Sequence, residues 1–230
     1  GTRPRPPVRQ SFPPGRRHYS ASAMTCTHLA RAERIDLLVL LTGLEPRQWD
    51  VPTLCTGWRV RDLVAHVISY EGLGPRDLVR RFVRGRFSLA RINDTRLAES
   101  RDAGPEDLLA MLERHLEPSG LTTAFGGRIA LLDCLIHQQD IRRPLGATRT
   151  IPAERLEPAL SFARYAPPIG AFRRARGLRL VATDIDWSAG RGPEVRGPGE
   201  ALLMAISGRR GVVDELTGPG QAVLAARLGS

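Results

Sequence analysis

The stretch LLDCLIHQQDIRR, residues 131–143, places three ionisable side chains at helical spacing. Asp133, His137 and Asp140 stand at i, i+4 and i+7, so a helix carries them on one face. Ile129, Leu132 and Ile136 share that face, which turns the polar groups toward a core. Neutral imidazole and carboxylate are common nitrogen and oxygen ligands of zinc, nickel and iron. Two such ligands at i and i+4 can reach one ion, and bundle cores hold metals between facing helices. The same spacing also suits a hydrogen-bonded buried pair or a surface salt bridge, so a ligand from a second helix would strengthen the metal reading. His66 is the best candidate, beside the apolar stripe of its helix between Leu63 and Tyr70. His115 sits among Glu113, Arg114 and Glu117 and reads as solvated, and His28 lies in a first helical turn. Cys55 and Cys134 can flank the site, although core filling is the plainer role for Cys134. Trp58 reads as a packing anchor that can also wall a pocket. Arg142 and Arg143 either attract an acidic substrate or close a solvated helix end.

These residues need helices to position them, and the periodicity supplies them. A helix of about four turns runs from Met24 to near Gly43 on Leu29, Ile35, Leu37, Leu38 and Leu41. WRVRDLVAHVISYEGL follows a Pro-rich loop as a second helix, with Thr56 or Gly57 as its cap and Gly72 to Pro75 as its end. A basic, weakly patterned segment containing DLVRRFVRGRF separates it from PEDLLAMLERHLE, a helix opening at Pro105. The ligand-bearing helix spans about 127–144, and PAERLEPALSFARY is a further helix ended by Pro167 and Pro168. Beyond it the character changes. GLRLVATDIDW, 177–187, alternates as a strand, SAGRGP is a turn, EVRG is a second short strand, and one or two helices and GQAVLAARL close the chain. The expected architecture is mainly α: residues 24–168 a helical bundle, residues 169–230 a small α+β domain, residues 1–23 a disordered Pro/Arg-rich extension.

Composition limits the function classes. The chain has 230 residues, 42% of them hydrophobic, and no apolar run reaches the roughly 18–20 residues of a membrane span. Its formal charge of +10 suggests nucleic acid, yet all 34 basic residues are arginine and five of them lie in the first 23 positions. That pattern fits coding bias and a charged arm better than a phosphate-binding face, and aromatics are not interleaved with the arginines. Three widely spaced cysteines without a CxxC pair indicate neither a disulfide framework nor a zinc ribbon, so a reducing cytoplasm is expected. Monomer and homodimer remain equally open.

PTLCTGWRVRDLVAHV (52–67) followed by LLDCLIHQQDIRRPLG (131–146) resembles the mycothiol-dependent maleylpyruvate isomerase family, within the DinB-like group of metal-binding four-helix bundles. GLRLVATDIDW and LLMAISGRRGVVDELTGPG resemble the small second domain of actinobacterial members, so the likeness runs from Met24 to Leu228. The resemblance implies a DinB-like four-helix bundle with a small α+β C-terminal domain. It assigns His66, Asp133 and His137 as ligands of a divalent metal, zinc with nickel or iron as alternatives. One position departs from the family pattern, which has Glu where this chain has Asp133. The arm is one methylene shorter, so the carboxylate either ligates from a shifted geometry or acts from outside the ligand sphere. Asp140 then orients His137 or another ligand, or substitutes as the ligand itself. The implied co-substrate is mycothiol, the low-molecular-weight thiol of actinobacteria, whose sulfur would be activated by the metal for transfer to, or isomerisation of, a small electrophile. No protein nucleophile is required, and no G-x-S-x-G elbow is present. A non-catalytic DinB-like metal-binding protein, a sensor or partner-binding module, is the alternative.

Overall fold

The computed structural model describes residues 25–69 and 103–229. The readings for the N-terminal extension, for the end of the second helix and for DLVRRFVRGRF lie outside the described residues. What is described is mainly helical, with a small three-stranded sheet near the C-terminus.

Helix α1 spans Cys26–Thr42 and ends at Gly43, whose N–H donates to the carbonyls of Leu40 and Leu41. Helix α2 spans Val60–Ile68, α3 Pro105–Arg114 and α4 Arg128–Arg142. Both α1 and α2 pack against α3 and α4, which makes the bundle. The second helix starts later than expected, and Trp58 precedes it. Arg59 is extended, bridges to Pro52, and donates its N–H to the Asp62 carboxylate at 2.9 Å. That side-chain cap at the third helical residue fixes the start at Val60 instead of Thr56 or Gly57.

Helix α5 (Ala153–Ala163) leads through a short helix α6 (Ala171–Ala175) to the sheet. Strand β1 (Arg179–Ala182) lies between β2 (Ser188–Gly190), antiparallel to it, and β3 (Glu194–Gly197), parallel to it. The expected eleven-residue strand is thus only four residues long, and residues 183–187 form the turn. Asp184 is the reason: its carboxylate accepts the N–H of Gly199 at 2.8 Å, holding the start of helix α7 (Gly199–Ile206). SAG then pairs as a strand, and the three residues 191–193 carry the chain past the start of β1 to its other edge. Gly192, at φ 124°, passes so close that a Cβ would sit 2.2 Å from the carbonyl oxygen of Gly177. Alternation buries Leu180 and Val195 beneath α7, a helix whose residues are buried on every side, and helix α8 (Gln221–Leu228) closes the chain.

Helix α4 is the element shared by two apolar clusters. Leu132, Leu135 and Ile136 join α5, the sheet and α7, while Cys134 and Ile141 join α1, α2 and α3. The stripe of Asp133, His137 and Asp140 runs along the seam between these two sets. Elsewhere α1 buries a charge: Glu33 is fully enclosed and chelated by Arg149 and Arg155, with Asp36 as a second acceptor of both. Removing one partner of such a network leaves an uncompensated buried charge, at a cost of about 3–5 kcal/mol.

Candidate metal centre

Two local structures bring the ligand candidates together. The first is the start of α4, where Phe125, Gly126 and Gly127 all adopt positive φ. A Cβ on Gly127 would lie 2.4 Å from the backbone nitrogen of Thr27, so only glycine lets α4 close against the first turn of α1. The second is the loop 52–58, folded on itself by Thr53, which donates to the carbonyl of Trp58 and accepts the N–H of Cys55. The loop docks on α4 through the Leu54 N–H and the Asp140 carbonyl, 3.1 Å. It thereby sets Cys55 on one flank of the site and Trp58 on the other, where the indole meets the His66 ring edge-on at 4.9 Å between centroids.

His66 from α2 and Asp133 and His137 from α4 converge, one ligand atom from each lying within 4.8 Å of the others. The Asp133 Oδ1 is 3.5 Å from His137 Nε2 and 4.0 Å from His66 Nε2, and the two imidazole rings stand edge to face at 5.0 Å. Ligands about 2.0–2.2 Å from a tetrahedral ion are roughly 3.3–3.5 Å apart, so the trio is slightly wider than a closed site and needs only side-chain adjustment. The shorter arm of Asp133 therefore does not remove it from the cluster. Asp140 is fully buried behind this trio. Its Oδ2 is 3.0 Å from His137 Nδ1 and accepts the Cys55 thiol at 3.2 Å. The Arg209 guanidinium grips both of its oxygens, with Nε donating to Oδ1 at 2.8 Å and Nη2 to Oδ2.

Charges in this cluster hold one another. Burial opposes ionisation of Asp140, but hydrogen bonds from His137 and Arg209 outweigh it and lower its pKa to about 2. Burial likewise opposes charge on Asp133, and the imidazoles of His137 and His66 still keep it below the usual carboxylate range. For His137, burial disfavours the cation, yet Asp133 and the hydrogen bond to Asp140 raise it well above an ordinary histidine. Without an ion, the carboxylates thus hold a proton on the imidazole.

A cavity of about 580 Å³ opens onto Asp133 and His137, walled by side chains of α4, α5 and the Pro167–Ile169 turn. The other candidates lie elsewhere. Cys134 packs into the bundle cluster, where burial raises its thiol, so Cys55 is the cysteine beside the site. Arg143 is locked by Glu200 and Glu215, and Arg142 donates to Gln138 and the Ala147 carbonyl. His115 caps α3 with its ring nitrogen 2.8 Å from the Met111 carbonyl, and His28 is exposed beside Thr25. Sequence reasoning did not single out Arg209. It lies 69 positions from Asp140, and no local periodicity links them; a buried acid in need of a cation was the available signal.

Comparison with known proteins bears on the fold. Residues 30–118 match the family model described as the mycothiol maleylpyruvate isomerase N-terminal domain. Two crystal structures of the mycothiol-dependent maleylpyruvate isomerase, one a histidine-to-alanine mutant, superpose with a TM-score of 0.54 at 18% identity. They cover 85% of this chain and 92% of theirs. No curated protein matches the sequence. No helix among the described residues is long and apolar enough to cross a membrane. The chain thus has the fold of the mycothiol-dependent maleylpyruvate isomerase, and its residues 30–118 are similar to the N-terminal domain of that family.

Proposed function

We propose that this protein is a metal- and mycothiol-dependent enzyme that activates the thiol for transfer to, or isomerisation of, a small electrophile. The observation that carries the proposal is the convergence of His66, Asp133 and His137, the last two of which line a cavity. The donor set fits a divalent transition ion, with two imidazole nitrogens and one carboxylate oxygen and zinc as the first choice. His66, Asp133 and His137 would hold the ion, which when bound lowers the pKa of a coordinated thiol and makes thiolate available at neutral pH.

The chain's own residues then have separable tasks. Asp140 accepts the His137 Nδ1 proton, which leaves Nε2, on the Asp133 side, as the free lone pair. Arg209 keeps Asp140 ionised for that purpose. Trp58 limits the rotation of His66 from the opposite side. The apolar cavity excludes water from the reacting sulfur and receives the electrophile. A cytoplasmic location fits the free cysteines and a thiol co-substrate.

The test is elemental mass spectrometry on the full chain, followed by mycothiol consumption in the presence of electrophiles. About one metal per chain and thiol loss that requires the metal are expected. A metal-free protein after reconstitution with zinc, nickel or iron would overturn the reading. Metal without thiol turnover would favour a DinB-like sensor or partner-binding module.

A further inference from the structure

The cavity beside the ligand trio has a composition that selects its occupant. Its lining is mostly apolar and includes Leu132, Ile136, Phe162, Pro167, Phe125 and Tyr165. Among the described lining residues only Asp133, His137, Arg209 and the Tyr165 phenol are ionisable. Arg209 is already committed, because each of its three nitrogens donates within the protein: Nε and Nη2 to Asp140, Nη1 to the Ser207 carbonyl at 2.9 Å. A small dicarboxylate entering here would lie mostly against hydrocarbon, and the one guanidinium on the described wall is already shared with Asp140 and the Ser207 carbonyl.

The rim is equally unusual. Phe125 is 68% exposed and Tyr165 67%, although both are large apolar side chains. Phe125 is the one non-glycine residue with positive φ among the described residues, at 56°, a conformation unfavourable for a bulky side chain. It packs its ring on Phe162 at 5.5 Å between centroids. A strained backbone that presents an aromatic ring at the mouth of an apolar cavity is suited to holding a flat, apolar molecule.

We propose that the electrophile taken by this site is a neutral, apolar, ring-sized molecule and not a small dicarboxylate. The reaction rests on the metal–thiol reading above, whereas binding does not. For 1-chloro-2,4-dinitrobenzene as a probe, the thiol sulfur bonds to the ring carbon bearing chlorine. The C–Cl bond breaks, chloride leaves with the bonding pair, and the thiol proton passes to solvent.

The experiment has a binding arm and a reaction arm, both on the full chain. In equilibrium dialysis, unreactive 2,4-dinitrotoluene is compared with maleate on wild type, Phe125→Gly and Phe162→Ala. Phe125→Gly removes the ring while relieving the backbone, so its thermal midpoint and metal content should hold or rise. Binding of the nitroaromatic with maleate at least tenfold weaker is expected, together with a roughly five- to tenfold loss in Phe125→Gly, the range of one aromatic contact. Maleate binding as tightly as the nitroaromatic, no binding of either, or indifference to both variants would overturn the proposal. The reaction arm measures mycothiol consumption with 1-chloro-2,4-dinitrobenzene and with maleylpyruvate. Nitroaromatic binding with no thiol reaction on any electrophile would sink the thiol reading and leave the cavity assignment standing. Preferential turnover of maleylpyruvate would sink the cavity assignment and leave the thiol reading standing.

Discussion

Two buried ionic clusters lie on opposite faces of α4, and they differ in how they end. Around Glu33, the carboxylate is closed off: Arg149 and Arg155 occupy both of its oxygens, and the Gln138 amide donates to its backbone carbonyl. Around Asp140, the arginine is again bidentate, but the chain of contacts continues through His137 to Asp133 and His66 and stops at a cavity. A closed cluster satisfies its own charges and has nothing left to offer. An open one ends in donor atoms that face one another beside a cavity, the arrangement a binding site requires.

That contrast yields tests of graded size. His137→Ala should reduce bound metal from about one per chain to near zero in elemental mass spectrometry, since it removes both the ligand and the link to Asp140; full occupancy in the variant would erase the distinction. Glu33→Ala should act on stability alone. A loss of about 3–5 kcal/mol is expected, lowering the melting temperature by roughly 6–20 °C in calorimetry with metal content per folded chain unchanged. Asp140→Asn should weaken metal affinity about 10- to 100-fold in a chelator competition, because the imidazole loses its anionic acceptor. If Asp140→Asn behaved like Glu33→Ala, with lower stability and unaltered affinity, the two clusters would be alike after all.

Proton linkage sharpens the comparison further. His137 is raised in the metal-free protein, so metal must displace a proton there, and affinity should rise with pH across the neutral range. The same raised value stabilises the metal-free fold below the unfolded histidine pKa, and that contribution fades as pH climbs through the folded value. Asp140 has the opposite sign: its stabilisation is present above about pH 4 and is lost as pH falls toward its folded value of about 2. Thermal midpoints of metal-free protein against pH would show both limbs, and Asp140→Asn should flatten the acid one. The smallest effect belongs to Cys134→Ser, which should leave metal content intact because that thiol faces the bundle interior.

The open cluster was readable because two of its candidate ligands sit one turn apart on a single helix, and the third, a histidine, borders another apolar stripe. Helices with long apolar periodicity, α1, α3, α4 and α5, were readable for the same local reason. What stayed hidden was set by distant partners. Glu33 looks like an ordinary surface acid in RAERID, and only its contact with Arg149 and Arg155, more than 100 positions away, reveals it as buried. Arg209 is equally silent in SGRRG. The limits of the 177–187 strand and of the second helix failed where side chains took over backbone duties, as Asp184 does at the start of α7 and Asp62 at the start of α2.

The grip of Arg209 on Asp140 also bears on inheritance. An arginine from the final quarter of the chain neutralises a carboxylate fixed within the bundle, and Leu132, Leu135 and Ile136 share one apolar cluster with the sheet. A bundle recombined with a different C-terminal partner would keep its histidines yet carry an unbalanced anion behind them. Exchanging either part of the chain alone would therefore break the pair that balances Asp140.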